Sequence, residues 1–318
     1  MLVAFLSALC WGVIVVINKR TLHFVDPIAL NFFLRLPSIV FIGAATSLLT
    51  LLKLWDVGFD MTWQAVGYIC LSSLVTWLIA FNTYFLALRA GAVGVVTPII
   101  ASDPVFTALF SAVLLGAGLR ALTIAGLVAT TTGVVLLSRW MGSADEPHGE
   151  VLAAPAVADT SIGAPRRVSG LEVVALSVVT AAGWGLSPVL ISLAQRSLGG
   201  VSATMVLQSQ ALGMLLLAPL VWRRRSALFT HRLSAGERRL VVRLVILTGL
   251  LEALFSVLFF LLIDRIGPML TVLIGASSPI FSIVGGVVWL KERFAAKLAL
   301  AAAITLLGVA LATLGGRP

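Results

Sequence analysis

The strongest constraint on this chain is the recurrence of apolar runs about 20 residues long, each sufficient to cross a bilayer as an α-helix. Ten can be read, near 2–18, 27–52, 64–88, 93–116, 121–138, 171–194, 201–222, 240–263, 268–290 and 295–314. Within hydrocarbon, a helix bonds its own backbone polar groups and a closed barrel bonds them between strands. A barrel would show short alternating segments, which are absent from this sequence. A soluble chain would carry roughly 25% charged residues; this one carries 11%, with a mean hydropathy of +1.10. The expected fold is therefore an all-α polytopic membrane protein with ten transmembrane helices. The first run lacks the charged leader and small-x-small cleavage site of a signal peptide, so it is read as an uncleaved span.

The one long connection, about 139–170, is rich in Ala, Gly, Pro and acids and has no helical period. Such composition suits a flexible linker. It separates a first five-span unit, 1–138, from a second, 171–318. The two units resemble each other. "ASDPVFTALFSAVLLGAGL" at 101–119 and "ASSPIFSIVGGVVWLKERF" at 276–294 lie 175 positions apart and share six of 19 residues. "CWGV" at 10–13 matches "GWGL" at 183–186, "LRAG" at 88–91 matches "DRIG" at 264–267, and Gly133 matches Gly308. An odd number of spans per unit forces the second copy to enter the membrane upside down. Inverted repeats of this kind are built around a solute site near the midplane.

A full charge within hydrocarbon is costly, so each ionisable residue there is a functional candidate. Arg35, Asp103 and Glu252 lie about 12, 15 and 18 Å into their spans at 1.5 Å per residue, and so at a similar depth. Arg35 could form a structural ion pair with one acid, or clamp a solute carboxylate with its planar fork of donors. At the spacing of the first-span match its counterpart is Gln208. Asp103 precedes Pro104, and Ser278 precedes Pro279; each proline interrupts the helical ladder, which is tolerated where backbone lines a cavity or is covered by protein. Asp103, Thr107 and Ser111 share one helix face, matched by Ser278, Ser282 and Gly286. Close packing through small residues is the competing reading of both faces.

Glu252 has no basic residue within two turns of its own helix. If Arg35 neutralises Asp103, Glu252 is left to bind and release a proton; the reverse assignment is equally allowed, and a buried neutral Glu held by a hydrogen bond is the plainer reading. Trp11, Trp77 and Trp184 lie within spans, away from the interfacial belt, as cavity walls or core packing. Asn18 and Asn82 add amides on the first and third spans. The stripes Ala125/Ala129/Gly133 and Ala295/Ala299/Ala303 suit helix–helix contact.

The Trp-Gly of the first span, the Arg of the second, "SPIFS" followed by "LKERF", and the five-plus-five plan together resemble the EamA family of the drug/metabolite transporter superfamily. The resemblance covers essentially the whole chain. It implies a ten-helix carrier of the cell membrane that exports small metabolites, often amino acids. The family's acidic residue after the fourth span is present as Glu292 in the second half, whereas the first half has Ala117 there.

The leading expectation is a secondary transporter that exports a small amphoteric solute such as an amino acid by alternating access, either proton-coupled or facilitated. Arg35 would take the carboxylate and an acid the amine. Efflux of organic cations or drugs is the alternative within transport; a membrane enzyme or a non-transporting scaffold is the alternative outside it. No HExxH, nucleophile elbow or Walker A sequence is present, and no cofactor or metal is expected. His23, His148 and His231 all fall in connections, and Cys10 and Cys70 lie within apolar runs, which offers no disulfide framework.

The net charge of +9 does not point to nucleic acid, because the basic residues flank apolar runs, as in "WRRRS" and "GERRLVVR". The partners expected are a small solute, the bilayer and protons; the oligomeric state is not set by the sequence. Sixteen Lys and Arg fall in odd-numbered connections and five in even-numbered ones and the C-terminus, with Arg35 left in the membrane. The positive-inside rule then places the odd connections in the cytoplasm and both termini outside, whereas the family resemblance implies cytoplasmic termini.

Overall fold

The computed structural model describes residues 2–51, 61–116, 120–142, 169–200, 203–275, 278, 288–289 and 296–315. All regular elements among them are helical. They are α1 (Leu2–Thr21), α2 (Pro27–Leu51), α3 (Trp63–Ser73), a π-helical turn (Leu74–Ala80), α4 (Phe81–Ala90), α5 (Val93–Ile100), α6 (Asp103–Leu115) and α7 (Ala121–Gly142) in the first half. The second half holds α8 (Gly170–Leu198), α9 (Ala203–Arg223), a short 3-10 turn (Arg225–Ala227), α10 (Ala235–Gly275) and α11 (Ala296–Gly315). Six stretches among the described residues are long and apolar enough to cross a bilayer: Pro27–Leu48, Trp63–Ala90, Val95–Leu115, Gly170–Leu198, Thr204–Arg223 and Ala235–Met269. The linker from 143 to 168, Ser282, Gly286, Glu292, Ala295, Ala117 and most of the second copy of the duplicated segment lie outside the described residues.

Local chemistry explains where these helices begin and end. Thr62 caps α3 by accepting from the Ala65 amide at 3.1 Å. Ser169 and Glu172 form a reciprocal capping box at the start of α8, and Gly199, at φ 77°, ends it in the left-handed region that favours glycine. Caps of this kind contribute about 1 kcal/mol each.

The span at 93–116 is interrupted, as the proline after Asp103 implies: α5 stops at Ile100, and α6 restarts at Asp103 with Pro104 in its first turn. Proline there has no amide to donate, so the chain restarts a helix more easily than it continues one. The runs expected at 240–263 and 268–290 meet where the sequence separates them, at a sharp corner at Gly267 (φ 81°, ψ 164°) followed by Pro268. The repeat relation pairs this corner with Gly91, between α4 and α5.

The inverted relation of the halves is written most plainly in α7 and α11, which pack antiparallel with no room for a side chain at their glycines. A Cβ on Gly133 would meet the Thr305 amide nitrogen at 2.7 Å, and one on Gly308 would press on Thr130 and meet the Gly126 carbonyl at 2.8 Å. Adding 175 to Thr130 and Gly133 gives Thr305 and Gly308, so the repeat relation maps this contact onto itself. Only two equivalent helices crossing a local two-fold axis can do that.

Candidate functional site

Close helix crossings build a polar centre between the halves. Gly249 lets α10 press onto α2, since a Cβ there would meet Pro37 Cβ at 2.9 Å and the Leu34 carbonyl at 3.2 Å. One turn further, Glu252 reaches Arg35 and forms a buried ion pair with its Nη2. Arg35 Nη1 donates to Gln210 Oε1 on α9 at 2.7 Å, and Nε to the Asn31 carbonyl at 3.2 Å. Gln210 in turn donates to Ser256 Oγ at 3.1 Å. Arg35 is fully buried, and an isolated charge at such depth would be prohibitive; these bonds make it tolerable.

The π-helical turn supplies the lid on Arg35. Its wider winding, shown by Phe81 N donating to the Thr76 carbonyl five residues back, turns Trp77 over the guanidinium, whose Cζ lies 3.9 Å from the ring centroid. Gly213 makes room for that ring, and Ser209 Oγ accepts from its indole nitrogen at 3.3 Å. The Trp77 carbonyl accepts from Asn31 Nδ2 at 2.8 Å. A cation–π contact in a dry site contributes up to about 2 kcal/mol.

Beside this network lies a cavity of about 130 Å³, close in size to cavities that hold a benzene molecule. Asp103, Glu252, Gln210, Ser209 and Ser278 are on its wall, and so are Trp11, Trp184 and Phe255. Asp103 stands at the first turn of α6, where the aligned backbone dipoles favour a carboxylate. Gly185 on α8 lies against it, for a Cβ there would meet the Asp103 carbonyl at 2.8 Å. Among the described residues no basic group forms an ion pair with Asp103. The aromatic wall is centred on Trp11 and Trp184, which stack edge to face with centroids 5.1 Å apart. They occupy matching positions in the two repeats.

The structure brings together Arg35, Glu252, Asp103, Trp11, Trp184 and Ser278, and sets three other candidates elsewhere. Arg35 itself is screened from the cavity. Glu252, an isolated acid by its own helix, is paired with Arg35 across 217 positions. Gln208 is half-buried and off the cavity wall; Gln210 meets Arg35 instead. The spacing of the first-span match is 173, but that of the fourth-span duplication and of Gly133/Gly308 is 175, and the latter places Gln210 opposite Arg35. Asn82 bonds Asn31 and the Leu78 carbonyl in helix packing. Asn18 is fully buried on α1, off the cavity wall. Sequence reasoning passed over Ser209, Ser256, Thr76 and Ser187, whose small hydroxyls stand out little in apolar runs. Ser72, Thr76 and Ser187 join through hydroxyl contacts of 2.8–2.9 Å.

One end of the bundle is stitched across the halves. The α1–α2 connection pairs with the α9–α10 connection through an antiparallel bridge between Val25 and Phe229. Asp26 N donates to the Leu228 carbonyl at 2.9 Å, Thr230 N to the Phe24 carbonyl at 3.0 Å, and Thr230 Oγ1 to the His23 carbonyl at 2.6 Å. Lys19 closes the same end by donating to the Leu88 and Gly91 carbonyls at 2.5 and 2.7 Å. This is the face that carries Arg223, Arg224, Arg225, Arg232, Arg238 and Arg239, all exposed.

A helical membrane protein of two inverted repeats, with a charged and aromatic cavity between them, belongs to the class of solute carriers. The family model for the EamA-like transporter family matches residues 1–139 and 171–314, and the chain belongs to that family, within the drug/metabolite transporter superfamily. No curated protein matches the sequence. A solved crystal structure of a protein resembles the fold with a TM-score of 0.62 at 19% identity, covering 99% of this chain and 96% of that one; at that identity the likeness concerns the fold alone.

Proposed function

We propose that this chain is a ten-helix secondary carrier of the cell membrane. It exports a small amine-bearing metabolite in exchange for protons, by alternating access between the repeats 1–138 and 171–318. The contrast between its two acids is the observation that carries this reading. Glu252 is ion-paired with Arg35, whereas Asp103 stands on the cavity wall with no ion-pair partner among the described residues. A carboxylate so placed takes an ammonium or a proton but not both, which is the elementary condition for exchange. The aromatic walls favour a cation by their ring faces, and the volume favours a small solute over a bulky drug.

An amino acid remains within this class. Its ammonium would sit on Asp103, while Ser209 and Ser256 on the same cavity offer hydroxyls to its carboxylate. Direct clamping by Arg35 requires Trp77 to move and Glu252 to be displaced. The stitched basic face is the cytoplasmic one by the positive-inside rule, so the present arrangement is closed toward the cytoplasm.

The test is exchange in reconstituted vesicles under a proton gradient, over a panel of small amines, amino acids and larger organic cations. Small amines or amino acids should move against protons. Asp103→Asn should lose that exchange by about tenfold or more, the equivalent of one charge-assisted hydrogen bond, with its melting temperature unchanged. Undiminished exchange in Asp103→Asn would overturn the reading.

A further inference from the structure

Several buried polar atoms in or beside the cavity meet no partner at full hydrogen-bond geometry among the described residues: Asn18 Nδ2 and Oδ1, Tyr84 Oη, Trp184 Nε1 and Glu252 Oε1. Buried polar groups are overwhelmingly bonded, so a cluster of orphans calls for a cause. These come from four helices, α1, α4, α8 and α10, and converge. The Tyr84 and Trp184 rings lie with centroids 5.1 Å apart. Tyr84, Trp184 and Glu252 line the same cavity, and the Tyr84 hydroxyl lies close to the Asn18 side chain.

The chemistry of the set is mixed. Trp184 Nε1 only donates, an ionised Glu252 oxygen only accepts, and Asn18 and Tyr84 do both. A single ion could not satisfy it, because a cation would repel the donors and an anion the carboxylate. Water gives and accepts two hydrogen bonds and matches such a site. Asn18 extends the set toward one end of the bundle. Asn18 lies seven residues past Trp11 on α1, about 10 Å closer to the stitched face, where Lys19 is held on the Leu88 and Gly91 carbonyls.

We propose that Asn18, Tyr84 and Trp184 hold a short file of water against the free oxygen of Glu252, and that protons pass along it between Glu252 and the stitched basic face while that face is closed to solute. A proton entering from water at that face ends on Glu252, which becomes neutral. Arg35 then loses its counter-charge but keeps its bonds to Gln210 and the Asn31 carbonyl and the Trp77 ring over its guanidinium, which offset part of that cost, and the site gains one positive charge. The charged or titratable groups around Glu252 are Arg35 from α2, Tyr84 from α4 and, elsewhere on the cavity wall, Asp103 from α6, with Lys19 near the mouth on α1. The conduction step rests on the reading of this chain as a proton-coupled carrier; the water site does not.

The experiment is X-ray hydroxyl-radical footprinting of the full chain in nanodiscs, which marks side chains beside bound water even where bulk solvent is excluded. After correction for intrinsic reactivity, Tyr84 and Trp184 should be modified at least tenfold faster than Phe85, which is as buried as Tyr84 in the same cluster but has no polar atom to hold water. Asn18→Leu should bring Tyr84 down to the Phe85 rate and leave the exposed Trp63 unchanged. Wild-type Tyr84 reacting no faster than Phe85 overturns the water site. Conduction is read by infrared spectroscopy after an acid pH jump, following the carboxyl band that disappears in Glu252→Gln. Its rise should slow about tenfold in Asn18→Leu; an equal rate overturns the path. Rapid labelling of Tyr84 with no such band at any pH overturns Glu252 as the proton acceptor and the path with it, leaving the exchange role of Asp103 to its own test.

Discussion

The α7–α11 contact and the central cavity obey the same repeat relation and treat it in opposite ways. At α7–α11, glycine meets threonine twice, Gly133 with Thr305 and Gly308 with Thr130, and the two halves are interchangeable. In the centre, equivalent positions also meet, since Arg35 and Gln210 are 175 apart and hydrogen-bonded. There the residues differ: Arg35 faces Gln210, and Asp103 has Ser278 as its counterpart. Close approach of two backbones asks only for small side chains, and a two-fold axis satisfies both helices at once. On the proposed function the cavity holds an unsymmetrical solute and gains nothing from equal walls, which fits the divergence of the duplicated residues there.

The largest effect should come from the centre. Arg35→Ala leaves Glu252 buried without its counter-charge and should destabilise the protein by about 3–5 kcal/mol, whereas Arg35→Met with Glu252→Leu should recover most of that loss. Unfolding in detergent measures both, and equal losses in the two variants would mean that the pair is not what holds the centre. Next come the glycines. Gly133→Val and Gly308→Val should each cost about 1–3 kcal/mol by overpacking, and the two costs should agree within about 0.5 kcal/mol. Clearly unequal costs would break the two-fold account of that contact. Smallest in stability is Asp103→Ser, which makes the first half match the second at this position. It should shift stability by less than about 1 kcal/mol while reducing exchange about tenfold or more. A carrier that still works after this change would show that the asymmetry of the centre has no bearing on transport.

Much of this architecture is legible in the amino-acid sequence alone. The apolar runs, the repeat and the proline after Asp103 already mark a helical membrane protein with an interrupted fourth span, because chain length, hydropathy and backbone chemistry are local properties. What the sequence hides is register. Gln208 and Gln210 sit two positions apart in similar apolar surroundings, and only the spacing of a distant segment distinguishes them. The π-helical turn is equally silent, since "LVTWLIA" contains no glycine or proline to announce a wider winding. The partner of Arg35 could not be chosen between two acids of similar depth, because that choice depends on Gly249 admitting α2. Ten spans were legible as apolar runs, whereas six meet the length and hydropathy demanded of a crossing among the described residues.

The mismatch between Asp103 and Ser278 also bears on the turnover cycle. When an inverted-repeat carrier reverses, each half assumes the posture the other held, so two identical halves would offer the solute two-fold-related pockets of equal strength. In the proposed cycle the unpaired acid, Asp103, is carried by the first half only, and the pocket open to one side is not the two-fold equivalent of the pocket open to the other. On that cycle the two faces would saturate at different solute concentrations. Net movement would still follow the gradients, since a difference in affinity shifts populations and supplies no work, but a carrier built this way would have a forward and a reverse gear of unequal reach.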